Sequence, residues 1–277
     1  IEEAKTLAEV EDIYRPYKPK KKTRATVAKA KGLEPLANII MEQKETKPIE
    51  EIAKAFVNVD TVEDDTDKDK IVANVEEAIG GALDIIAENI SDNPKYRKKI
   101  KGICYREAVI NVKASNPEEK SSYDMYYDFN ESIKRLPSHR ILAINRGEKE
   151  DFLKVKIDKP EDKILAYIER DIIIGHTQFE DYLRNTIEDS WKRLIEPSID
   201  REIRSDLTEK AEEKAIKVFG KNAKQLLLGA PIKNLTVIGF DPAYRTGCKI
   251  AVIDETGKVL ETTTIYPTEP QNDVENS

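Results

Sequence analysis

At 277 residues with 39% apolar side chains, the chain can bury one large core or two ordinary ones, which excludes a wholly disordered tract. Charged residues reach 36% and aromatics only 6%, a balance that favours solvated helices over sandwiches or barrels. The net charge of −7 excludes indiscriminate polyanion binding, and no apolar run approaches the roughly 18 residues that a membrane-spanning helix needs.

The sequence begins Ile1-Glu2-Glu3, without a start methionine or a signal peptide, so it reads as cytoplasmic and cropped at the front. Charge alternates in blocks. Arg15, Lys18, Lys20, Lys21, Lys22, Arg24, Lys29 and Lys31 follow Tyr14 without an intervening acid, and Lys95, Arg97, Lys98, Lys99, Lys101 and Arg106 form a second basic run. An acidic stretch, Asp60 to Asp69, lies between them. Cys104 and Cys248 have no ligand-spaced partners and are expected to be reduced and structural.

From Gly32 to about Leu228 the period is helical. Pro35 and Pro48 predict first turns of helices at 36–44 and 49–56. The spacing of Ile71, Val75, Ile79, Leu83, Ile86 and Ile90 predicts one helix from about Asp69 to Ile90, with Gly80-Gly81 kept where another helix crosses closely. Asp92 is expected to cap the next helix, which carries the second basic run toward Ala114. Ser115 to Tyr127 reads as a loop, and the alternation through Phe152, Leu153, Val155 and Ile157 as a strand, with a helix end reaching up to Leu153 as the alternative. A stripe from Phe179 through Trp191 to Leu194 predicts a helix ending near Pro197. Ser198 then caps another, with Ile199, Ile203, Leu207 and Ala211 inward, stopping at Gly220. A helical bundle is the expected packing, with no tandem repeat.

Beyond Gly229 the period changes to strands at 235–240, 249–253 and 259–265, with a hairpin turn at Glu255-Thr256-Gly257-Lys258 and a loose tail from Pro267. Three strands bury little alone, so the chain is expected to stop inside a domain.

The run Glu11-Asp12-Ile13-Tyr14-Arg15-Pro16-Tyr17-Lys18-Pro19-Lys20-Lys21-Lys22-Thr23-Arg24-Ala25-Thr26, followed by Gly32-Leu33-Glu34-Pro35-Leu36-Ala37, resembles the Tex family of bacterial transcription accessory proteins. Pro137-Ser138-His139-Arg140 with Arg146-Gly147, Pro197-Ser198-Ile199 through Glu213, and the turn Asp241-Pro242-Ala243-Tyr244-Arg245-Thr246-Gly247 continue the likeness in the same order. The resemblance implies a mostly α fold: a multi-helical region with a small β element over 1–229, then the first three strands of an α/β RNase H-like (YqgF) domain, truncated, over 230–277. It also implies a scaffold that binds nucleic acid chiefly through a C-terminal RNA-binding module outside this sequence.

Two groups of residues stand out functionally. Asp241, at the tip of an apolar strand, occupies the place of the first metal ligand in RuvC-like resolvases, although Ala243 departs from their glycine. Two-metal cleavage needs several such carboxylates, and an aspartate also serves simply to organise a turn. Asp254 reads as a turn residue. Arg15, Lys18, Lys20, Lys21, Lys22 and Arg24, beside Tyr14 and Tyr17, suit phosphate contact with base stacking, or alternatively a solvated, proline-braced loop or a strap docked on acidic surface such as Asp60 to Asp69. The second basic run is expected to pair with neighbouring acids, and His139 and His176 to be buried or capping.

The leading expectation is a non-enzymatic, cytoplasmic transcription accessory factor that binds RNA or DNA, has the transcription machinery as a further partner and needs no cofactor. One alternative is a magnesium-dependent nuclease or resolvase built on Asp241. Another is a helical protein-docking module.

Overall fold

A computed structural model describes residues 7–19, 21–58, 70–230, 232 and 234–277. The chain divides into two compact units, Ile1–Ala215 and Ile216–Ser277.

In the first unit, α1 (Leu7–Tyr14) runs directly into a 3-10 turn, Arg15–Tyr17, with Pro16 in its first turn. Thr23 and Thr26 then exchange side-chain and backbone hydrogen bonds in a capping box that starts α2 (Arg24–Ala30). Pro35 opens α3 (Glu34–Glu42), and Pro48 precedes α4 (Ile49–Lys54). Gln43 ends α3 in the left-handed region at φ 53°. Its amide donates to Ile172 O at 2.7 Å and accepts from Ile174 N at 3.1 Å.

The long helix α5 spans Val75–Asp92 rather than starting near Asp69. Asn58 explains the difference: its Oδ1 accepts from Val72 N at 2.6 Å and its Nδ2 donates to Lys70 O, so Val72 is buried outside the helix before Asn74 caps it. Gly81 is where α2 packs on α5, because a Cβ there would lie 2.5 Å from Leu33 Cδ1 and 3.2 Å from Ala28 Cβ. Gly80, in contrast, faces open space.

Asn93, not Asp92, caps α6 (Pro94–Glu107), accepting from Lys95 N at 2.9 Å, and α6 stops well short of Ala114. The chain leaves α6 as β1 (Val109–Ala114), with Ile110 and Val112 buried on alternate positions. It forms the centre of an antiparallel sheet in the order β2-β1-β3, with β2 at Asp128–Ser132 and β3 at Leu153–Asp158. Of these three, β3 alone is the strand that the sequence pattern predicts. Helices α7 (Ser138–Lys149), α8 (Glu161–Ile172) and α9 (Glu180–Asp189) complete the body before the last helix.

Pro197 does not end a helix. Alpha-helical α9 passes through a π-helical turn, Ser190–Ile195, into α10 (Glu196–Leu227), which also continues past Gly220. Proline lacks the amide that would bond four residues back and crowds the carbonyl there. The wider turn relieves both conflicts, since Glu196 N–H reaches five residues back to Trp191 O. Ser198 is therefore no cap, and its hydroxyl donates to Glu202 at 3.1 Å. A contiguous core of Leu36, Ile40, Ile86, Ile100, Ile164, Phe179 and Trp191 joins these helices to β1 and β3.

The division between the units falls within α10. In the second unit β4 (Val237–Asp241), β5 (Cys248–Ile253) and β6 (Val259–Ile265) form an antiparallel meander. Gly247 must be glycine: it sits at φ 78°, and a Cβ would lie 2.5 Å from Tyr266 Cε1. The tail is less loose than its composition implies, because Asp273 N donates to Tyr266 O at 2.8 Å and Tyr266 N to Ser277 Oγ at 3.0 Å.

Candidate nucleic-acid interface

The basic run after Tyr14 splits into two sets. Arg15 is turned inward, with its Nε 3.3 Å from Asp92 Oδ1 and its Nη1 3.4 Å from Ser198 Oγ. Lys29 pairs with Glu34 at 3.7 Å and Lys31 with Glu77. Lys18, Lys21, Lys22 and Arg24 are exposed, beside Tyr17, which leaves 77% of its surface to solvent. Lys20 and the acidic stretch Asp60 to Asp69 lie outside the described residues, and so does any docking of the strap on that stretch. The carboxylate that Arg15 meets is Asp92.

Inward of the strap is a cleft of about 1050 Å³. Arg15, Lys18, Lys101, Arg193, Arg201 and Lys210 line it together with Glu11, Asp12, Glu88, Asp92, Glu202, Asp206 and Glu209. Carboxylates in this lining oppose the attraction a polyanion would feel there, whereas Lys21, Lys22 and Arg24 lie outside the lining. The second basic run is largely spent on internal pairs: Lys95 holds Asp171 at 2.7 Å, Lys101 holds Asp12 at 2.7 Å, and Lys99 lies 5.5 Å from the Tyr167 ring centroid.

The carboxyl of Asp12 illustrates the cost of this packing. Burial pushes its pKa up, but hydrogen bonds from Arg97 and Lys101 more than reverse the push, leaving it below the ordinary value of 3.8. Nothing in the sequence marks Asp12 or Glu202 as partners of Arg97, from which they stand 85 and 105 residues away.

Asp241 closes β4 on the surface, and Lys249 stands directly opposite it in the β4–β5 register. The pleat places both on one face with Gly239, Ala251, Thr262 and Thr264. Asp254 is committed elsewhere: its Oδ1 accepts from Thr256 Oγ1 at 2.6 Å, Thr256 N at 2.8 Å and Lys258 N at 3.0 Å, bonds that lower its pKa. It is thus the turn residue that its position implied. Among the described residues no three His, Cys, Asp or Glu side chains converge to hold a metal. His139 and His176 are exposed rather than buried or capping, and His176 Nδ1 lies 3.0 Å from Glu180. Cys104 and Cys248 are both free and buried.

Residues 43–219 match the Tex central region-like family, and residues 235–277 match the Tex protein YqgF-like domain. The chain belongs to the Tex family. It is 50% identical over 276 residues to the uncharacterized protein YdcI of Bacillus subtilis, covering 98% of the chain and 37% of that protein. It is 32% identical to the transcriptional accessory protein Tex of Neisseria gonorrhoeae, covering 96% and 35% respectively. Human S1 RNA-binding domain-containing protein 1 is 31% identical across 95% of the chain and 27% of its own length. The Tex chain thus spans about a third of the length of the curated relatives it matches. No helix among its described residues is long and apolar enough to cross a membrane.

Proposed function

We propose that this Tex chain serves a transcription accessory protein as a non-catalytic scaffold and holds an RNA or DNA backbone on the outward face of its N-terminal strap. The observation that carries the reading is the exposed row Lys18, Lys21, Lys22 and Arg24 beside Tyr17, on a molecule whose other basic run is largely taken up by internal pairs. Exposed ammonium and guanidinium groups release counterions when they meet phosphates, and an exposed tyrosine ring offers a stacking platform for a base. The names of the gonococcal and human relatives, with their transcriptional and RNA-binding wording, favour RNA and the transcription machinery as partners.

Non-catalytic action is supported by Lys249, which brings a fixed positive charge to the face of Asp241. A divalent ion held by that carboxylate would be opposed by the ammonium. The scaffold role calls for no cofactor.

The test is the salt dependence of binding to a single-stranded oligonucleotide. Replacing Lys18, Lys21, Lys22 and Arg24 together by alanine is expected to lower the slope of log K against log salt by about 3, at ~0.7 per phosphate contact. An unchanged slope removes the strap from the interface. Magnesium-dependent cleavage that disappears with Asp241→Asn would overturn the non-catalytic reading.

A further inference from the structure

The strap that carries these lysines is attached in an unusual way. No side chain described from Val10 to Lys22 is buried; the apolar contribution near its start comes from half-buried Val10 and Ile13. The strap meets instead a box of charges. Arg97, on α6, is completely buried, and its Nε donates to Asp12 Oδ1 at 2.8 Å while its Nη2 donates to Glu202 of α10. Lys101, one turn further along α6, reaches the other oxygens of the same two carboxylates, at 2.7 Å to Asp12 and 2.6 Å to Glu202. Ser198 Oγ lies 3.4 Å from Arg97 Nη2, and Nη1 has no hydrogen-bond partner among the described residues, so the two carboxylates supply most of the guanidinium's compensation. Arg15 adds a second pin at the other end, through Asp92 and Ser198.

We propose that Asp12, Arg97, Lys101 and Glu202 form a charge latch, and that docking of the strap through this latch is what presents Lys18, Lys21, Lys22 and Arg24 to a nucleic-acid backbone. The inference rests on the strap being the interface. Its physical basis is the asymmetry of buried pairs: an intact pair adds little net stability, whereas removing one partner leaves an uncompensated charge in a water-poor site. Asp12 is the strap's contribution to that site, so its loss removes the reason for the strap to stay down. Asp12, Arg97, Lys101 and Glu202 are positioning residues, since the nucleic acid meets the lysines beyond them. An undocked strap still carries its cations but loses their fixed spacing, and each phosphate contact then has to overcome the entropy of ordering the segment.

Two measurements on the whole chain test this. Limited trypsin digestion, with cleavage mapped after Lys21 and Lys22, reads docking directly because cleavage requires local opening. Asp12→Ala is expected to speed these cuts by about tenfold or more, with Glu202→Gln giving a smaller increase, while the helical circular dichroism and the main melting transition are retained. Should Asp12→Ala fail to fold, the charge-neutral, nearly isosteric Glu202→Gln carries the test. Binding to a twelve-nucleotide oligouridylate then reads the consequence, and both variants are expected to weaken it several-fold. Unchanged cleavage overturns the latch. Faster cleavage with unchanged affinity, where alanine at Lys21 and Lys22 does weaken binding, overturns the positioning role and leaves the strap as interface. If neither the latch variants nor the lysine variants alter affinity, the interface assignment fails and takes the positioning role with it, whatever the digestion shows.

Discussion

Phe179 in the helical body is fully buried, whereas Phe240 on β4 leaves 55% of its surface to solvent, although both are phenylalanines in or beside regular secondary structure. In the first unit nearly every apolar stripe has found a partner, and Trp191, Ile86 and Ile164 sit among side chains from several helices. The meander has no comparable second layer among its own elements, and Ile238, Phe240, Val259 and Leu260 remain exposed along it. Hydrogen-bonded register is therefore enough to shape the sheet, but burial is what gives the helical body its stability.

The sharpest way to break this contrast is a pair of matched truncations. Phe179→Ala is expected to cost about 3–5 kcal/mol and Phe240→Ala less than about 1 kcal/mol, measured by chemical denaturation. Similar costs at the two sites would mean that the sheet carries a core of its own.

Acid separates the strap from the body it sits on. Because the folded pKa of Asp12 lies below its ordinary value of 3.8, its pairing stabilises docking fully above that value and is lost as pH falls through the lower folded one. Arg97 and Lys101 of α6 and Glu202 of α10 face it there. Below about pH 4, the strap is expected to become more open to an acid-stable protease such as pepsin before the helices melt, a difference that Asp12→Ala should abolish.

Smaller effects distinguish two adjacent glycines in α5. Gly81→Ala drives a methyl into buried Leu33 and is expected to lower stability by about 1–2 kcal/mol despite the better helix former. Gly80→Ala meets open space and is expected to raise stability by up to about 1 kcal/mol. The difference in melting temperature between the two variants reads the closeness of the α2–α5 contact.

Much of the fold was legible because its signals are local. The amphipathic stripe of α5, the prolines at the starts of α3 and α4, the alternation of β3 and the turn chemistry of Asp254-Glu255-Thr256-Gly257 each work within a few residues. The structure departs from the local pattern where a distant partner, or at Pro197 a wider helical turn, outvoted it. Asn58 held Val72 out of α5, β2 and β3 claimed β1 from the end of α6, and a wider turn carried the chain through Pro197.

The candidate site divides along the same line. The exposed row Lys18, Lys21, Lys22 and Arg24 was visible as a basic run without acids, but nothing in that run set Arg15 apart as the residue that turns inward to Asp92. Nor did it show Asp12 beneath Arg97. Composition, period and turn residues thus determined by themselves a helical body followed by a strand meander, because helix and hairpin propensities act between near neighbours. Which charges face water and which are spent inside was decided only by the tertiary structure. That choice depends on carboxylates brought together from α1, α5 and α10, and the desolvation that makes such pairings matter exists only once those elements have packed.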